Sequence, residues 1–353
     1  MNTVLVNPPS KTYEVKIGSG LLAQAGELAA KVHTPANAVI ITDSTVDKLY
    51  SDILTKSLQS AGYTVFKTVI PAGEQSKNAE TLINTLNFMA ECRLTRADTV
   101  FALGGGVVGD LAGLAAALFM RGIGLVQIPT TLLAAVDSSV GGKTAIDLKT
   151  GKNLIGAFYQ PDLVICDTDT LKTLPPSEFS NGCAEVIKYG FIRDAAIFDL
   201  LSTDNFDRES VITRCVEIKR DVVCADERDT GERQLLNFGH TFGHAVEQRS
   251  NFTLPHGSAV AVGMALMTKA AVKKGLCDPV CLDILKNLLD KYNLPSSTVF
   301  SEDEIFDTVL TDKKRLSDKL TLVVPRKPGQ CDLMKMPIAE VREFLHLGLE
   351  GVL

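Results

Sequence analysis

Apolar residues recur along this chain in two rhythms, and the change from one to the other divides it. Over the first half, short β-branched runs at 37–42, 63–70, 99–103, 125–128 and 163–166 alternate with stretches of helical period at 45–61, 78–92 and 110–119. That alternation predicts a parallel sheet wrapped by helices. After Leu174-Pro175-Pro176 the strand signal nearly vanishes, and apolar positions three and four apart carry 181–201, 211–224, 235–248, 257–274 and 280–289. Only 319–324 reads as a strand again, and 338–349 reads as a closing helix. The pattern predicts an α/β domain over residues 1–172 and an all-α domain over 173–353.

Length agrees with two domains, since 353 residues exceed what one core usually serves. A net charge of -6 without a block of like charges argues against a nucleic-acid surface and leaves a small molecule as the expected partner. The eight cysteines contain no CxxC pair, and the N-terminus has no apolar signal core, so a reduced, cytoplasmic protein is expected. The apolar runs at 110–121 and 259–267 fall well short of the ~18 residues a membrane helix needs and read as core.

Candidate chemistry begins at the end of the strand at 99–103. Gly104-Gly105-Gly106-Val107-Val108-Gly109-Asp110 fits GxGxxG between a strand and a helix, the setting in which backbone N–H groups hold a pyrophosphate. A plain glycine-rich turn is the alternative. No acidic residue ends the next strand about 20 residues on, where a ribose partner is expected; Gln127 to Thr131 stand there. Asp43 does end an earlier strand and suits a ribose hydroxyl, or equally an Asx turn. From 129 to 160 the chain is rich in Gly, Ser, Thr and Asp and carries Lys143 and Lys152, which suits phosphate binding or else a solvated loop. Gly141-Gly142-Lys143-Thr144 is not a Walker motif, because Asp137 occupies the place of its first glycine.

Three of the five histidines, His240, His244 and His256, fall within 17 residues, and Glu185 precedes Lys188 by one helical turn. This clustering predicts a metal site. Spacing alone selects His240 and His244, at i and i+4, with a carboxylate and His256 competing for the remaining position. His33 and His346 read as ordinary structural histidines. Lys219, Arg233, Asn237 and Lys313 add more cationic and polar groups than a metal needs, which points to an anionic, phosphorylated substrate.

The glycine loop, Pro129 to Thr144, Gly151-Lys152-Asn153-Leu154, Ala184-Glu185-Val186-Ile187-Lys188-Tyr189-Gly190 and Leu236 to Ala245 together resemble the 3-dehydroquinate synthases, with likeness from about residue 43 to 314. The resemblance implies a Rossmann-like domain, a helical metal-binding domain, a site in the cleft between them and a homodimer. It implies conversion of 3-deoxy-D-arabino-heptulosonate 7-phosphate to 3-dehydroquinate by transient oxidation, phosphate elimination, re-reduction, ring opening and aldol closure. Zinc or cobalt is then held by Glu185, His240 and His256, with His244 passing to the substrate, contrary to the choice from spacing. NAD is met by Asp43, Glu74, Lys77, Gly105, Gly106, Val107, Val108, Gly109, Asp110, Thr130, Thr131, Lys143, Lys152, Thr170, Leu171, Thr173 and Leu174. Substrate contacts fall to Asp137, Lys143, Asn153, Lys188, Lys219, Arg233, Asn237, His244 and Lys313, beside which Lys314 competes, and Arg121 reaches the phosphate from the partner subunit. Asp147 stands where many members have asparagine. The rival readings are another sugar phosphate cyclase, a metal-dependent alcohol dehydrogenase of the glycerol dehydrogenase kind, or a non-catalytic NAD-binding protein.

Overall fold

The computed structural model describes residues 1–313 and 318–351, with 311–313 as main chain only. The chain divides into two units, Met1–Pro175 with Arg208–Arg228, and Pro176–Asp207 with Asp229–Leu353. The strands of the first unit are β1 (Asn2–Val6), β2 (Tyr13–Gly18), β3 (Asn37–Asp43), β4 (Thr64–Ile70), β5 (Thr99–Gly104), β6 (Gly124–Pro129), β7 (Lys143–Leu148), β8 (Gly151–Phe158) and β9 (Leu163–Asp167). Seven of them form one sheet in the order β1-β2-β9-β6-β5-β3-β4, parallel except for the β1–β2 pair.

Period-two alternation explains why this sheet is covered on both sides. Ala38, Ile40, Phe101, Leu103, Val126 and Ile128 join one apolar cluster. Val39, Ile41, Val100, Ala102 and Leu125, one residue out of phase, join another. The strands of this sheet that the sequence predicts are β3, β5, β6 and β9, buried on both faces, and the partly exposed edge strand β4. β1 alternates over only five residues, and β7 and β8 form a separate antiparallel hairpin whose second strand is mostly exposed; none has the continuous apolar run that betrays an interior strand.

The helix Arg208–Ala225, which sequence order assigns to the second domain, belongs to the first unit. Its buried residues Val211, Ile212, Cys215, Val216, Val222 and Val223 form a face packed against β1 and β2. Helical periodicity shows that such a face exists but not which partner covers it.

The second unit is helical, with one addition to the all-α expectation. β10 (Lys319–Lys327) pairs with β11 (Gln330–Pro337) in an antiparallel hairpin. The periodic stretch 181–201 is two helices, Pro176–Ile192 and Ala196–Ser202. The stretch 235–248 opens as a 3-10 turn, Glu232–Asn237, and becomes the helix His240–Arg249 only after Gly239, whose φ of 79° is left-handed. His256–Lys273 is buried along nearly its whole length and is the central helix of this unit. The helices Val280–Lys291, Glu302–Lys313 and Ile338–Leu349 complete it.

Candidate active site

In the first unit the chain passes from β3 to β4 on one side and then returns to β5 on the other. At such a reversal the loops leaving the strand ends diverge, and open α/β sheets bind nucleotides there. Asp43 stands at the end of β3 and the glycine loop at the end of β5. The helix Gly106–Leu118 begins inside the glycine run, earlier than the predicted start at Asp110, because glycines carry no apolar period. Its N-cap Gly105 offers no side chain, so the first-turn N–H groups are directed at whatever anion occupies the loop.

Packing also demands these glycines. A Cβ on Gly104 would lie 2.6 Å from Val108, and one on Gly109 would lie 2.9 Å from Gln127 Oε1. Gln127 Nε2 donates to Gly109 O at 3.0 Å. On the other side of the loop, Cβ atoms on Gly105 and Gly106 would press on Thr131 at 3.0 Å and Ser138 at 3.2 Å. These residues fit a dinucleotide: a narrow backbone-lined loop with an uncapped helix start. Asp43 caps with one oxygen, Oδ1 accepting from the N–H groups of Thr45 at 2.8 Å and Val46 at 3.0 Å, so the Asx-turn reading of this residue holds.

The polar tract from 129 to 160 is not a simple solvated loop. It forms a helical turn, Ala134–Ser138, and then the β7–β8 hairpin. Lys77, 5% exposed, reaches across to it and donates to Asp110 Oδ2 and Asn153 Oδ1, both at 2.6 Å. Burial pushes the Asp110 carboxyl up against the pull of Lys77. In Lys77, burial opposes the charge, but Asp110 and Glu74 outweigh it and raise the ammonium. Lys152 pairs with Glu74 at 3.2 Å. Lys219, on the helix Arg208–Ala225, donates to the backbone oxygen of Asp137 at 2.7 Å and pairs with its carboxylate.

Asp147 has a role that the sequence reading did not give it. Asn153 has a left-handed φ of 56°, and Asp147 Oδ1 accepts its N–H at 2.8 Å. Asp147 in turn donates its own N–H to Lys77 O at 2.8 Å. The signal was an acid and an asparagine flanking the turn Lys149-Thr150-Gly151. Lys143 and Arg121 are exposed; Arg121 lies in a 3-10 turn with φ 68°. Thr130, Thr170 and Leu171 are buried, Thr131 and Leu174 half-buried, Thr173 exposed.

In the second unit, close helix contacts assemble a histidine cluster. A Cβ on Gly257 would lie 2.1 Å from Asn181 O, and one on Gly263 only 1.9 Å from Gly239 O. The helix His256–Lys273 therefore lies backbone to backbone against both Pro176–Ile192 and the start of His240–Arg249, and Asn181 Oδ1 accepts from Ser258 N at 3.2 Å. His240, His244 and His256 consequently bring one ligand atom each within 4.8 Å of one another.

Glu185, 1% exposed, completes the group. Its Oε1 lies 3.5 Å from His240 Nε2 and 3.3 Å from His256 Nε2, while Oε2 pairs with Lys188, also 1% exposed. The other nitrogen of each of these two rings faces an oxygen: His240 Nδ1 is 3.1 Å from Phe238 O, and His256 Nδ1 is 3.3 Å from Glu247 Oε2. In the tautomer that a bound cation requires, with the proton on Nδ1 of each ring, both Nε2 lone pairs would be directed to the side of the same carboxylate oxygen. Such a donor set, two imidazoles and a buried carboxylate with a third imidazole beside them, fits a divalent cation of the zinc type. In the metal-free chain, burial lowers the His240 pKa to about 3. Burial works against charge on His256 too, but hydrogen bonds to Glu185 and Glu247 prevail and raise it to about 9.

Arg233 is 1% exposed and Asn237 half-buried, both on the 3-10 turn leading to Gly239. The side chain of Lys313, and all of Lys314, lie outside the described residues. The sequence reading missed Glu247, which stands three residues after His244 and is 3% exposed; a glutamate on the buried side of a histidine-bearing helix was its signal.

Among solved structures, the chain is similar to a 2-deoxy-scyllo-inosose synthase complexed with carbaglucose-6-phosphate, NAD+ and Co2+ (TM-score 0.86, 26% identity, 98% of this chain and 99% of that one). It is also similar to the 2-epi-5-epi-valiolone synthase of Streptomyces hygroscopicus subsp. jinggangensis with NAD+ and Zn2+ bound (TM-score 0.87, 27% identity, 98% of both chains). An NADH-dependent butanol dehydrogenase from Thermotoga maritima, 17% identical with a TM-score of 0.69 over 99% of both chains, shares the fold alone. In sequence, it is 43% identical over 349 residues to the 3-dehydroquinate synthase of Enterococcus faecalis (97% of this chain, 98% of that one) and 41% identical over 353 residues to that of Clostridium kluyveri (98% of both). The profile of the 3-dehydroquinate synthase N-terminal region matches residues 67–181, and that of the C-terminal region matches 182–315. Two matching profiles in tandem and relatives above 40% identity along nearly the whole length make this chain a member of the 3-dehydroquinate synthase family.

Proposed function

We propose that this chain converts 3-deoxy-D-arabino-heptulosonate 7-phosphate to 3-dehydroquinate and phosphate, as a phosphate-eliminating carbon–oxygen lyase that uses NAD and a zinc or cobalt ion. The observation that carries the reading is the approach of His240 Nε2 and His256 Nε2 to one oxygen of the buried Glu185. When bound, NAD supplies a transient hydride acceptor, and the cation polarises a substrate hydroxyl. Glu185, His240 and His256 hold the cation, and His244, exposed beside them, is directed to the substrate.

In the nucleotide site, Gly105 to Asp110 receive the pyrophosphate, with Thr130, Thr131, Lys152 and the segment from Thr170 to Leu174 against the rest of NAD. Asp43, with one oxygen in the Asx turn, meets the ribose, and Lys77 and Glu74 hold the loop's polar edge. Asn153, Lys143, Lys188, Lys219, Arg233, Asn237 and Asp137 orient the anionic substrate, in which lysines keep the phosphate placed while the neighbouring proton leaves. Full-length identity above 40% to 3-dehydroquinate synthases, against 26–27% to cyclases with other products, favours the dehydroquinate branch. A homodimer in which Arg121 serves the partner's phosphate site belongs to the same reading, as does a cytoplasmic location; no helix among the described residues is long and apolar enough to cross a membrane.

The test is to incubate the purified protein with the heptulosonate phosphate, substoichiometric NAD and zinc. Phosphate and dehydroquinate should appear in equal amounts without net NADH at 340 nm, and chelation should stop both. Net NADH accumulation would favour an alcohol dehydrogenase instead, and phosphate release indifferent to chelation would refute the reading.

A further inference from the structure

A neutral imidazole has one N–H and one lone pair, so a histidine that binds a cation through one nitrogen must carry its proton on the other, and whatever accepts that proton fixes the tautomer and the ring. In His256 the two nitrogens are bracketed by two carboxylates. Nε2 lies 3.3 Å from Glu185 Oε1, and Nδ1 lies 3.3 Å from Glu247 Oε2. His240 has the same arrangement with a backbone acceptor, Phe238 O at 3.1 Å. The two rings are therefore oriented alike, but only the acceptor for His256 carries charge.

Glu247 is built into this place. It is 3% exposed and sits near the end of the helix His240–Arg249, while His256 opens the following helix. The short connection between them turns back through Asn251 and Phe252, both left-handed at φ 51° and 60°, a conformation that is strained for residues other than glycine. The turn is tied to Glu247 itself, whose backbone oxygen accepts from Phe252 N at 3.1 Å and Ser250 Oγ at 2.7 Å. The strained connection returns His256 to the side chain of Glu247.

We propose that Glu247 is a positioning residue of the metal centre: it accepts the Nδ1–H of His256, holds the Nε2 lone pair toward Glu185, and strengthens that ring as a ligand. This rests on the reading of His256 as a ligand. Removing such a carboxylate typically weakens metal affinity ~10- to 100-fold.

The test uses metal-free full-length protein as wild type, Glu247→Gln and Glu247→Ala. Co2+ affinity is measured by chelator competition together with the visible absorption of bound Co2+, and the metal-free unfolding midpoint is measured alongside. Cobalt affinity should fall ~10- to 100-fold in Glu247→Ala and less in Glu247→Gln, whose amide oxygen still accepts but lacks charge, with a changed cobalt spectrum. Should the alanine variant not fold, the near-isosteric glutamine variant decides. Wild-type affinity and spectrum in a folded glutamine variant overturn the proposal. A wild-type protein that takes up no cobalt overturns the metal site itself, and this inference with it.

Discussion

At the scale of the residue, chemistry depends on which nitrogen of which histidine faces Glu185. His240 and His244 are one helical turn apart, with ring centroids at 5.1 Å, and His256 stands 5.3 Å from His240. Ring proximity alone does not separate the three. Glu185 marks two of them, because its Oε1 faces Nε2 of His240 and of His256. His256→Ala should therefore purify with at least ~10-fold less bound zinc, since a residue that holds the ion directly matters no less than its supporting carboxylate. His244→Ala should keep its zinc and lose turnover. Metal content after gel filtration, set beside phosphate-release kinetics, separates the two; equal zinc loss in both variants would return His244 to the ligand set.

At the scale of the element, the cluster exists because three helices approach without side chains between them. The 1.9 Å that a Gly263 Cβ would leave to Gly239 O cannot be relieved by a rotamer, since the obstacle is backbone. Gly263→Ala should push the start of His240–Arg249 away and destabilise the protein by about 3 kcal/mol, the upper range for overpacking, with reduced zinc content. Gly275→Ala is the control: it has φ +68° but nothing within 4 Å, and should cost only about 1 kcal/mol with zinc retained. Denaturant midpoints and zinc content check both; a Gly263→Ala protein as stable as wild type would show that the helices slide apart at little cost.

At the scale of the whole molecule, the family reading adds a second subunit, and Arg121 is its probe. It is exposed and left-handed at the end of a 3-10 turn. If Arg121 completes the partner's site, Arg121→Ala and Glu185→Gln should each be nearly inactive alone. A mixture refolded or co-expressed in equal amounts should regain about a quarter of wild-type activity, because half the dimers are mixed and each has one intact site. No regain from two inactive variants would place Arg121 in its own subunit's site, and an Arg121→Ala protein active alone would place it outside catalysis.

Sequence by itself determined the parallel sheet, the helical second half, the glycine loop and the three histidines, because each leaves a local mark: continuous apolar runs, a period of 3.6, a glycine spacing, a cluster of one residue type. It determined the family as well, through long motifs around Gly104, Lys143, Glu185 and His240. Tertiary structure decided what local marks do not encode. It assigned the helix Arg208–Ala225 to the first unit, because an apolar face does not name its partner. It made a hairpin of a tract that reads as loop, since β8 lies mostly exposed and needs no apolar run. It gave Asp147 the Asn153 N–H and Glu247 the His256 Nδ1, because hydrogen bonds between turns depend on backbone angles and helix approach. And it oriented both Nε2 atoms toward Glu185, a direction set by glycine-to-backbone contact between helices that spacing along one helix does not contain.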